Sequence, residues 1–299
     1  MSRIRRLGRL GRYDCTIVRT GTFALDGGAM FGIIPKPLWE KKIPADAENR
    51  IAMATNCLLL QDGTRTALVD CGMGQKWSDK QKAQFKVDDE LDAALAEAGV
   101  VTADVTDVVL THLHFDHAGG LTHLRDGALA MTFANARVHV GRRNWAWAHA
   151  PNERDRGSYR ADSFSPLDDV ERERLVLIDD DGNGRAQIMD GVAALVCEGH
   201  TTGQFLPLVG DGDQRALYGA DMVPTAAHVR MPWIMGYDLR PIELLDEKRR
   251  LLALCADEGV TLVFEHDATT PCARITRDGD DFAWTPSPIM STQAEVGHG

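Results

Sequence analysis

Short apolar runs alternate with helical periodicity along this chain. Runs at 54–60 and 66–69 flank an Asp-Gly pair, which predicts a β-hairpin. Periodic apolar positions predict one helix over residues 88–99 and another over residues 243–256. Further strands are predicted at 13–19, 107–110, 137–140, 175–178, 192–197, 216–219 and 261–264. The polar segment 151–169 interrupts this pattern and predicts a long loop near the entrance of a site.

The two ends of the chain are expected to lie outside the core. Residues 1–12 carry five arginines and no apolar run, which predicts a basic, solvated N-terminal tail. Residues from about 285 to 299 are small, polar and proline-containing, which predicts a loose C-terminal tail. No linker interrupts the predicted elements between the tails, so we expect a single domain over residues 1–299.

Composition narrows the class of protein. The 299 residues are 44% hydrophobic and 26% charged, which is typical of a globular protein with a sizeable core. The net charge of -11 argues against nucleic acid as a partner. The chain has no run of 18 apolar residues and no signal peptide pattern, so we expect no membrane partner. Its six cysteines are scattered, which favours a reducing compartment and a cytoplasmic location.

The densest chemistry follows the predicted strand at 107–110. Three histidines and one aspartate lie within six residues there: His112, His114, Asp116 and His117. Imidazole and carboxylate groups together suit zinc, iron or manganese. A polar loop that happens to be rich in histidine is the alternative, and the density of potential ligands disfavours it.

Three other predicted strands also end in potential ligands. His200 follows the strand at 192–197, Asp221 follows 216–219, and His266 follows 261–264. Loops at the carboxyl ends of strands commonly build the sites of α/β-type scaffolds. The seven candidate ligands are His112, His114, Asp116, His117, His200, Asp221 and His266.

Seven ligands are too many for one tetrahedral metal and suit two. Alternation along extended backbone places His112 and His114 on one side, where both can meet one metal together with His200. Asp116 and His117 would then face a second metal together with His266. Asp221 is the natural bridge, because two neighbouring cations need an anion between them.

This pattern resembles the metallo-β-lactamase superfamily. The matching pieces are His112-x-His114-x-Asp116-His117, Gly199-His200-Thr201-x-Gly203, Asp221 and His266. The resemblance implies an α+β fold, a four-layer αβ/βα sandwich in which two mixed sheets are flanked by helices. It also implies two divalent metal ions, with zinc usual and iron or manganese as alternatives, and the same division of the seven ligands. Many true β-lactamases have cysteine at the Asp221 position, so the ligand set is more similar to the lactonase and glyoxalase II-like branches.

The expected function is therefore a dinuclear metal-dependent hydrolase that cleaves a small-molecule lactone, ester or thioester. A hydroxide bridging the two metals would attack the carbonyl, with Asp116 and Asp221 as the catalytic carboxylates. The alternatives are phosphodiester or phosphotriester hydrolysis and the chemistry of a mononuclear-iron persulfide dioxygenase. A homodimer is the oligomeric state considered.

A substrate pocket is expected beside the metal site. Some acyl-homoserine lactonases of the family place a tyrosine shortly after the bridging aspartate, and this chain does not, so that role would fall to His228, to Tyr237 or to neither. Glu265, Asp267 and Thr201 are expected to hydrogen-bond the ligand imidazoles. The six pocket candidates are Phe31, Phe115, Met222, His228, Trp233 and Tyr237.

Overall fold

The computed structural model of the protein describes residues 2–287, within which there are 17 strands and seven helices. The strands are β1 (Ile4–Leu10), β2 (Tyr13–Asp26), β3 (Arg50–Gln61), β4 (Thr66–Val69), β5 (Asp88–Asp89), β6 (Asp107–Leu110), β7 (Thr122–Arg125), β8 (Ala128–Met131), β9 (Arg137–Gly141), β10 (Leu175–Ile178), β11 (Arg185–Met189), β12 (Val192–Cys197), β13 (Gln204–Asp211), β14 (Gln214–Tyr218), β15 (Thr261–Val263), β16 (Cys272–Asp278) and β17 (Asp281–Pro286). The helices are α1 (Gly27–Phe31), α2 (Lys36–Trp39), α3 (Asp79–Phe85), α4 (Leu91–Glu97), α5 (Phe115–Ala118), α6 (Arg142–His149) and α7 (Pro241–Glu258).

The strands form two large mixed sheets. The first has the order β1-β2-β3-β4-β6-β9-β10, with β5 paired to β2. It is antiparallel from β1 to β4 and parallel from β4 to β10. The second has the order β11 to β17 and is antiparallel except for the parallel pair β14 and β15. Strands β7 and β8 form a separate hairpin.

Alternate residues of the first sheet pack into two different cores. Leu58 and Leu60 of β3 share one core with residues of the second sheet, such as Leu206. Leu59, between them, belongs to another core with Leu95 of α4. Because successive side chains of a strand point to opposite faces, one face of the sheet packs on the second sheet and the other on helices. This is the predicted four-layer α+β sandwich of the metallo-β-lactamase fold, which is therefore confirmed.

The predicted N-terminal tail is wrong for most of its length. Residues Ile4–Leu10 form β1, which pairs antiparallel with β2 from Ile4↔Val18 to Leu10↔Tyr13. The nearby arginine Arg3 makes an ion pair with Glu90. The sequence pattern misled because β1 is an edge strand without an alternating apolar pattern; it pairs with β2 through its backbone, and its Leu7 and Leu10 pack on the core.

Other expectations have mixed outcomes. The predicted hairpin is confirmed, since β3 pairs antiparallel with β4. The sequence pattern did not predict β13, because Pro207 interrupts its apolar run. In the structure Pro207 nevertheless lies opposite Ala194 of β12. Thr285 and Pro286, predicted to begin the C-terminal tail, instead end β17, and 288–299 lie outside the described residues.

The remaining expectations concern cysteines and membranes. All six cysteines are buried, and none forms a disulfide. Of the helices between residues 2 and 287, none has both the length and the apolar character needed to cross a bilayer.

Candidate metal centre

The candidate ligands come from strand ends of both sheets. His112 and His114 follow β6 of the first sheet, while His200 follows β12 of the second. Asp221 follows β14, and His266 follows its parallel neighbour β15. Packing of the two sheets brings these separate loops together along one edge of the sandwich. Residues distant in sequence thus form one buried polar cluster.

The first group of donor atoms contains three imidazole nitrogens and one carboxylate oxygen. His114 Nδ1 lies 3.0 Å from His112 Nε2 and 3.2 Å from His200 Nε2. Asp221 Oδ2 lies 3.1 Å from His200 Nε2 and 3.7 Å from His112 Nε2. All four side chains are buried. The four atoms surround one point, as the ligands of a metal ion do.

The second group contains Asp116, His117, His266 and the same Asp221. His266 Nε2 lies 3.3 Å from His117 Nε2 and 3.6 Å from Asp116 Oδ2. Asp221 Oδ1 lies 3.0 Å from His266 Nε2, and Asp221 Oδ2 lies 3.3 Å from His117 Nε2. Asp221 is therefore the one residue that the two groups share.

These donor atoms fit a pair of metal ions. Metal–ligand bonds of about 2.0–2.2 Å in a tetrahedron place neighbouring donor atoms about 3.4 Å apart. The four distances given for the first group, 3.0 to 3.7 Å, bracket that spacing, and all its donor atoms lie within 4.8 Å of one another. Without a metal ion between them, buried imidazole nitrogens this close together would compete for the same protons. The donor set of histidine and aspartate is one that zinc, iron and manganese accept.

The electrostatics of the cluster centre on Asp221. Burial and the neighbouring histidines lower the pKa of His112 well below its ordinary value. Burial opposes the charged forms of His200 and His266, but the surrounding carboxylates, Asp221 foremost, together outweigh it and raise the pKa of each to about 9. Burial alone would raise the pKa of Asp221, but the surrounding histidines hold that pKa well below its usual range. Binding of a cation here must therefore displace protons.

Two carboxylates that the sequence did not single out orient the ligands. Asp70 Oδ2 lies 2.9 Å from His117 Nδ1, and Asp238 Oδ1 lies 2.9 Å from His200 Nδ1. Each carboxylate contacts the Nδ1 atom of one imidazole, so the Nε2 atom of that imidazole faces the cluster. Asp70 follows β4 as the candidate ligands follow their strands, so its position was a usable signal. Asp238 lies in an irregular loop and gave no such signal.

The three predicted orienting residues have different contacts. Glu265 Oε2 lies 2.8 Å from His117 Nδ1 but makes no hydrogen bond among residues 2–287, and burial raises the pKa of Glu265 to about 8. Asp267 instead accepts hydrogen bonds from the backbone of Ala226 and from residues 269–270. Thr201 hydrogen-bonds Tyr159 at 2.8 Å and Asp155 at 3.3 Å. Neither Asp267 nor Thr201 contacts a ligand imidazole through these bonds.

A cavity of about 210 Å³ opens beside the cluster. Cluster residues form its floor, apolar side chains form much of its wall, and residues 154–158 of the predicted entrance loop complete it. The lining residues are Leu25, Met30, Met53, Phe85, His114, Phe115, Asp116, Arg154, Asp155, Ser158, His200, Asp221, Met235, Tyr237 and His266. Of the six predicted pocket residues, Phe115 and Tyr237 therefore line the cavity.

The other four predicted pocket residues are buried in the core, outside this lining. Phe31 stacks on His228, with ring centroids 4.6 Å apart, and Trp233 packs against Phe31 edge to face. His228 hydrogen-bonds Thr225 and the carbonyl of Met30, and burial lowers the pKa of His228 to about 3. Met222 is only 2% exposed. Their apolar or aromatic character misled, because the backbone turns these side chains into the core.

Comparison with known proteins agrees with this geometry. A sequence model of the metallo-beta-lactamase superfamily matches residues 50–266, a span that contains all seven clustered side chains. The chain belongs to the metallo-beta-lactamase superfamily, and its fold and site define it as a metal-dependent hydrolase.

Among its relatives is the probable metallo-hydrolase Rv2300c of Mycobacterium tuberculosis. It is 26% identical over 247 residues, which cover 73% of this chain and 76% of the relative. A probable metal-dependent hydrolase from Staphylococcus aureus is 28% identical, with a TM-score of 0.82, over 95% of this chain and all of the other. The dizinc quorum-quenching lactonase AidC, solved in complex with a product, is 20% identical, with a TM-score of 0.79. That alignment covers 97% of this chain and 99% of the lactonase, and it shows the shared fold.

Proposed function

We propose that the protein is a dinuclear, zinc-dependent hydrolase of a small-molecule lactone, ester or thioester. The observation that carries this proposal is the shared position of Asp221 between two groups of buried histidine and aspartate ligands. One group would consist of His112, His114 and His200 with Asp221. The other would consist of Asp116, His117 and His266 with Asp221.

Two bound metal ions would supply an activated water and an electrophile for the substrate carbonyl. The chain provides the remaining parts. Asp116 lines the cavity, where its carboxylate would orient the attacking water and carry a proton to the leaving group. Met30, Met53 and Met235 present an apolar wall that binds the substrate carbon skeleton and excludes bulk water.

Tyr237 is a candidate hydrogen-bond donor to the substrate. Tyr237 lines the cavity and is 39% exposed. Burial raises the pKa of Tyr237 to about 12, which keeps the hydroxyl protonated at neutral pH. His228, the other candidate for this role, is already engaged by Thr225 and Met30.

The test begins with the metal content of purified protein and its activity on lactones, aryl esters, thioesters and phosphodiesters. We expect two zinc ions per chain and turnover of a carbonyl ester. Asp221→Ala should lose two-metal loading and activity together, whereas Asp213→Ala, in an exposed turn, should retain both. One iron with oxygen consumption, turnover of phosphorus esters alone, or a fully active Asp221→Ala variant would refute the proposal. The cytoplasmic location and the homodimer stay predictions.

A further inference from the structure

One cation lines the cavity without an anionic partner. Arg154 is the one arginine or lysine in the cavity wall, and it is exposed. Among residues 2–287 it forms no ion pair, and its guanidinium donates to two neutral acceptors, the backbone carbonyls of Gly236 and Asp238. Arg160, on the same loop, is by contrast paired with the carboxylate of Asp162. The positive charge of Arg154 is therefore uncompensated.

The guanidinium of Arg154 is held in place beside Tyr237. The carbonyls of Gly236 and Asp238, to which it donates, flank Tyr237 in sequence, and Tyr237 itself lines the cavity. This segment is fixed in turn, because Gly236 N donates to the Ala29 carbonyl at 2.8 Å. A cation held in this way loses little side-chain entropy when a ligand binds to it.

Much of the hydrogen-bonding capacity of Arg154 is left for a ligand. A guanidinium is permanently charged and has five N–H donors. Both of its hydrogen bonds within residues 2–287 come from the Nη2 atom, so the donors on Nε and Nη1 are not used by them. A carboxylate that meets these donors makes charge-assisted hydrogen bonds, which are stronger than those of a neutral acceptor.

The carboxylates of the cavity wall do not exclude an anion. They belong to Asp116, Asp155 and Asp221. Asp116 and Asp221 are members of the candidate metal groups, where divalent ions would offset their charge. Asp155 is turned into the wall, since its Oδ2 atom accepts a hydrogen bond from Trp147 Nε1 at 2.7 Å and its Oδ1 atom is buried. The exposed charge that a ligand meets on this loop is therefore that of Arg154.

We propose that Arg154 is a specificity-determining residue that binds a carboxylate group of the substrate. The substrate is then an acidic lactone, ester or thioester, in which an apolar skeleton separates the carboxylate from the scissile bond. The methionines of the cavity wall would contact that skeleton. This inference rests on the proposed hydrolase function, which it deepens by naming the substrate class.

The test compares substrates that differ in one charge. One pair is 5-oxotetrahydrofuran-2-carboxylate and its carboxamide, and the other is 4-acetoxybenzoate and 4-acetoxybenzamide. The carboxamide keeps the shape of the carboxylate and removes its charge. We expect kcat/KM to favour the carboxylate of at least one pair by about tenfold, between the effects of an exposed ion pair and of a buried charged hydrogen bond. No preference in either pair would overturn the inference.

The variant Arg154→Gln tests the residue itself. Glutamine keeps an N–H donor but carries no charge, so the preference for the carboxylate should fall to about one. Arg154→Lys keeps the charge and should restore part of the preference. Arg156→Gln, at an exposed position on the same loop and outside the cavity wall, is the matched control and should keep the wild-type preference. An equal loss on both members of a pair would make Arg154 a positioning residue for the segment around Tyr237 and overturn the inference.

A binding measurement keeps the inference separate from turnover. Calorimetry with the zinc-loaded protein compares 3-oxocyclopentane-1-carboxylate with its carboxamide, neither of which has a lactone or ester bond. Direct contact of the carboxylate with zinc would be common to wild type and Arg154→Gln, so the difference between the two proteins reports Arg154. A preference for the carboxylate that Arg154→Gln loses supports the inference, even if no lactone is turned over and the proposed function fails. A preference that is absent, or equal in the two proteins, overturns it, even if lactones are hydrolysed.

Discussion

Asp70 Oδ2 lies 2.9 Å from His117 Nδ1, and both side chains are completely buried. Asp70 is itself held by Thr111, whose backbone N–H donates to Oδ1 at 2.8 Å and whose hydroxyl donates to Oδ2 at 2.7 Å. Asp70 follows β4, whereas Thr111 follows the neighbouring parallel strand β6. Pairing of two strands thus determines the orientation of a candidate metal ligand.

We expect Asp70→Asn to weaken metal binding at the group that contains His117 and His266. The Thr111 N–H needs an acceptor, so the asparagine oxygen would face Thr111 and its NH2 group would face His117 Nδ1. That arrangement favours the imidazole tautomer with its proton on Nε2, the atom that faces the cluster. Zinc affinity at one of two sites should fall about tenfold to hundredfold in a competition titration with a chelator.

Asp62→Asn, in the turn that precedes β4, is the control for this variant. Asp62 accepts hydrogen bonds from Thr64 and Arg65 within that turn. The Asp62→Asn variant should leave both zinc affinities unchanged. Unaltered binding in Asp70→Asn would show that Glu265, which also lies 2.8 Å from His117 Nδ1, is sufficient to orient the imidazole.

Asp238→Asn should produce the complementary defect. Asp238 Oδ2 accepts a hydrogen bond from Met235 N at 2.8 Å, while Oδ1 lies 2.9 Å from His200 Nδ1. The asparagine oxygen would stay with Met235, and its NH2 group would oppose the His200 tautomer that binds a metal. The loss, again about tenfold to hundredfold, should affect the other zinc ion. Identical titration curves for Asp238→Asn and Asp70→Asn would contradict the division into two groups.

Gly199→Ala should displace the loop that carries His200. A Cβ atom at position 199 would lie 2.4 Å from Leu244 Cα in α7, a contact with backbone that no side-chain rotation relieves. We expect a loss of about 1–3 kcal/mol in unfolding free energy, together with weaker metal binding. Urea unfolding and metal content measure the two effects. In the matched variant Gly157→Ala the new Cβ meets nothing within 4 Å, and both quantities should stay at wild-type values.

His228 should contribute to loss of stability in acid. Burial lowers the pKa of His228 to about 3, against 6.5 when exposed, so between these values the unfolded state binds more protons than the folded state. Stability from this group is thus complete above pH 6.5 and falls as the pH falls towards 3. Between pH 6.5 and 5 the loss is about 2 kcal/mol.

The variant His228→Gln isolates this effect, because the other titrating groups are common to both proteins. The difference in unfolding free energy between wild type and variant should shrink as the pH falls from 6.5 to 5. A constant difference over that range would mean that His228 does not stay neutral in the folded protein.

The sequence by itself determined the local part of the site. Four potential ligands within His112–His117 follow directly from chain order, and apolar runs that end in His200, Asp221 and His266 indicated where the others would come from. The resemblance of these motifs to the metallo-β-lactamase superfamily then implied the fold class. These features depend on residues that are close together in sequence, so local spacing is sufficient to predict them.

Only the tertiary structure decided which distant groups contact one another. Asp70 and Asp238 orient ligand imidazoles because of strand pairing and loop packing, which leave no periodic signal in the sequence. Phe31, Met222, His228 and Trp233 are apolar or aromatic, as the wall of a pocket would be, yet they pack into the core. Asp155 belongs to the loop predicted near the site entrance, but hydrogen bonds within that loop decide that this residue lines the cavity. A side chain's direction depends on the packing of whole layers, so spacing alone could not assign it.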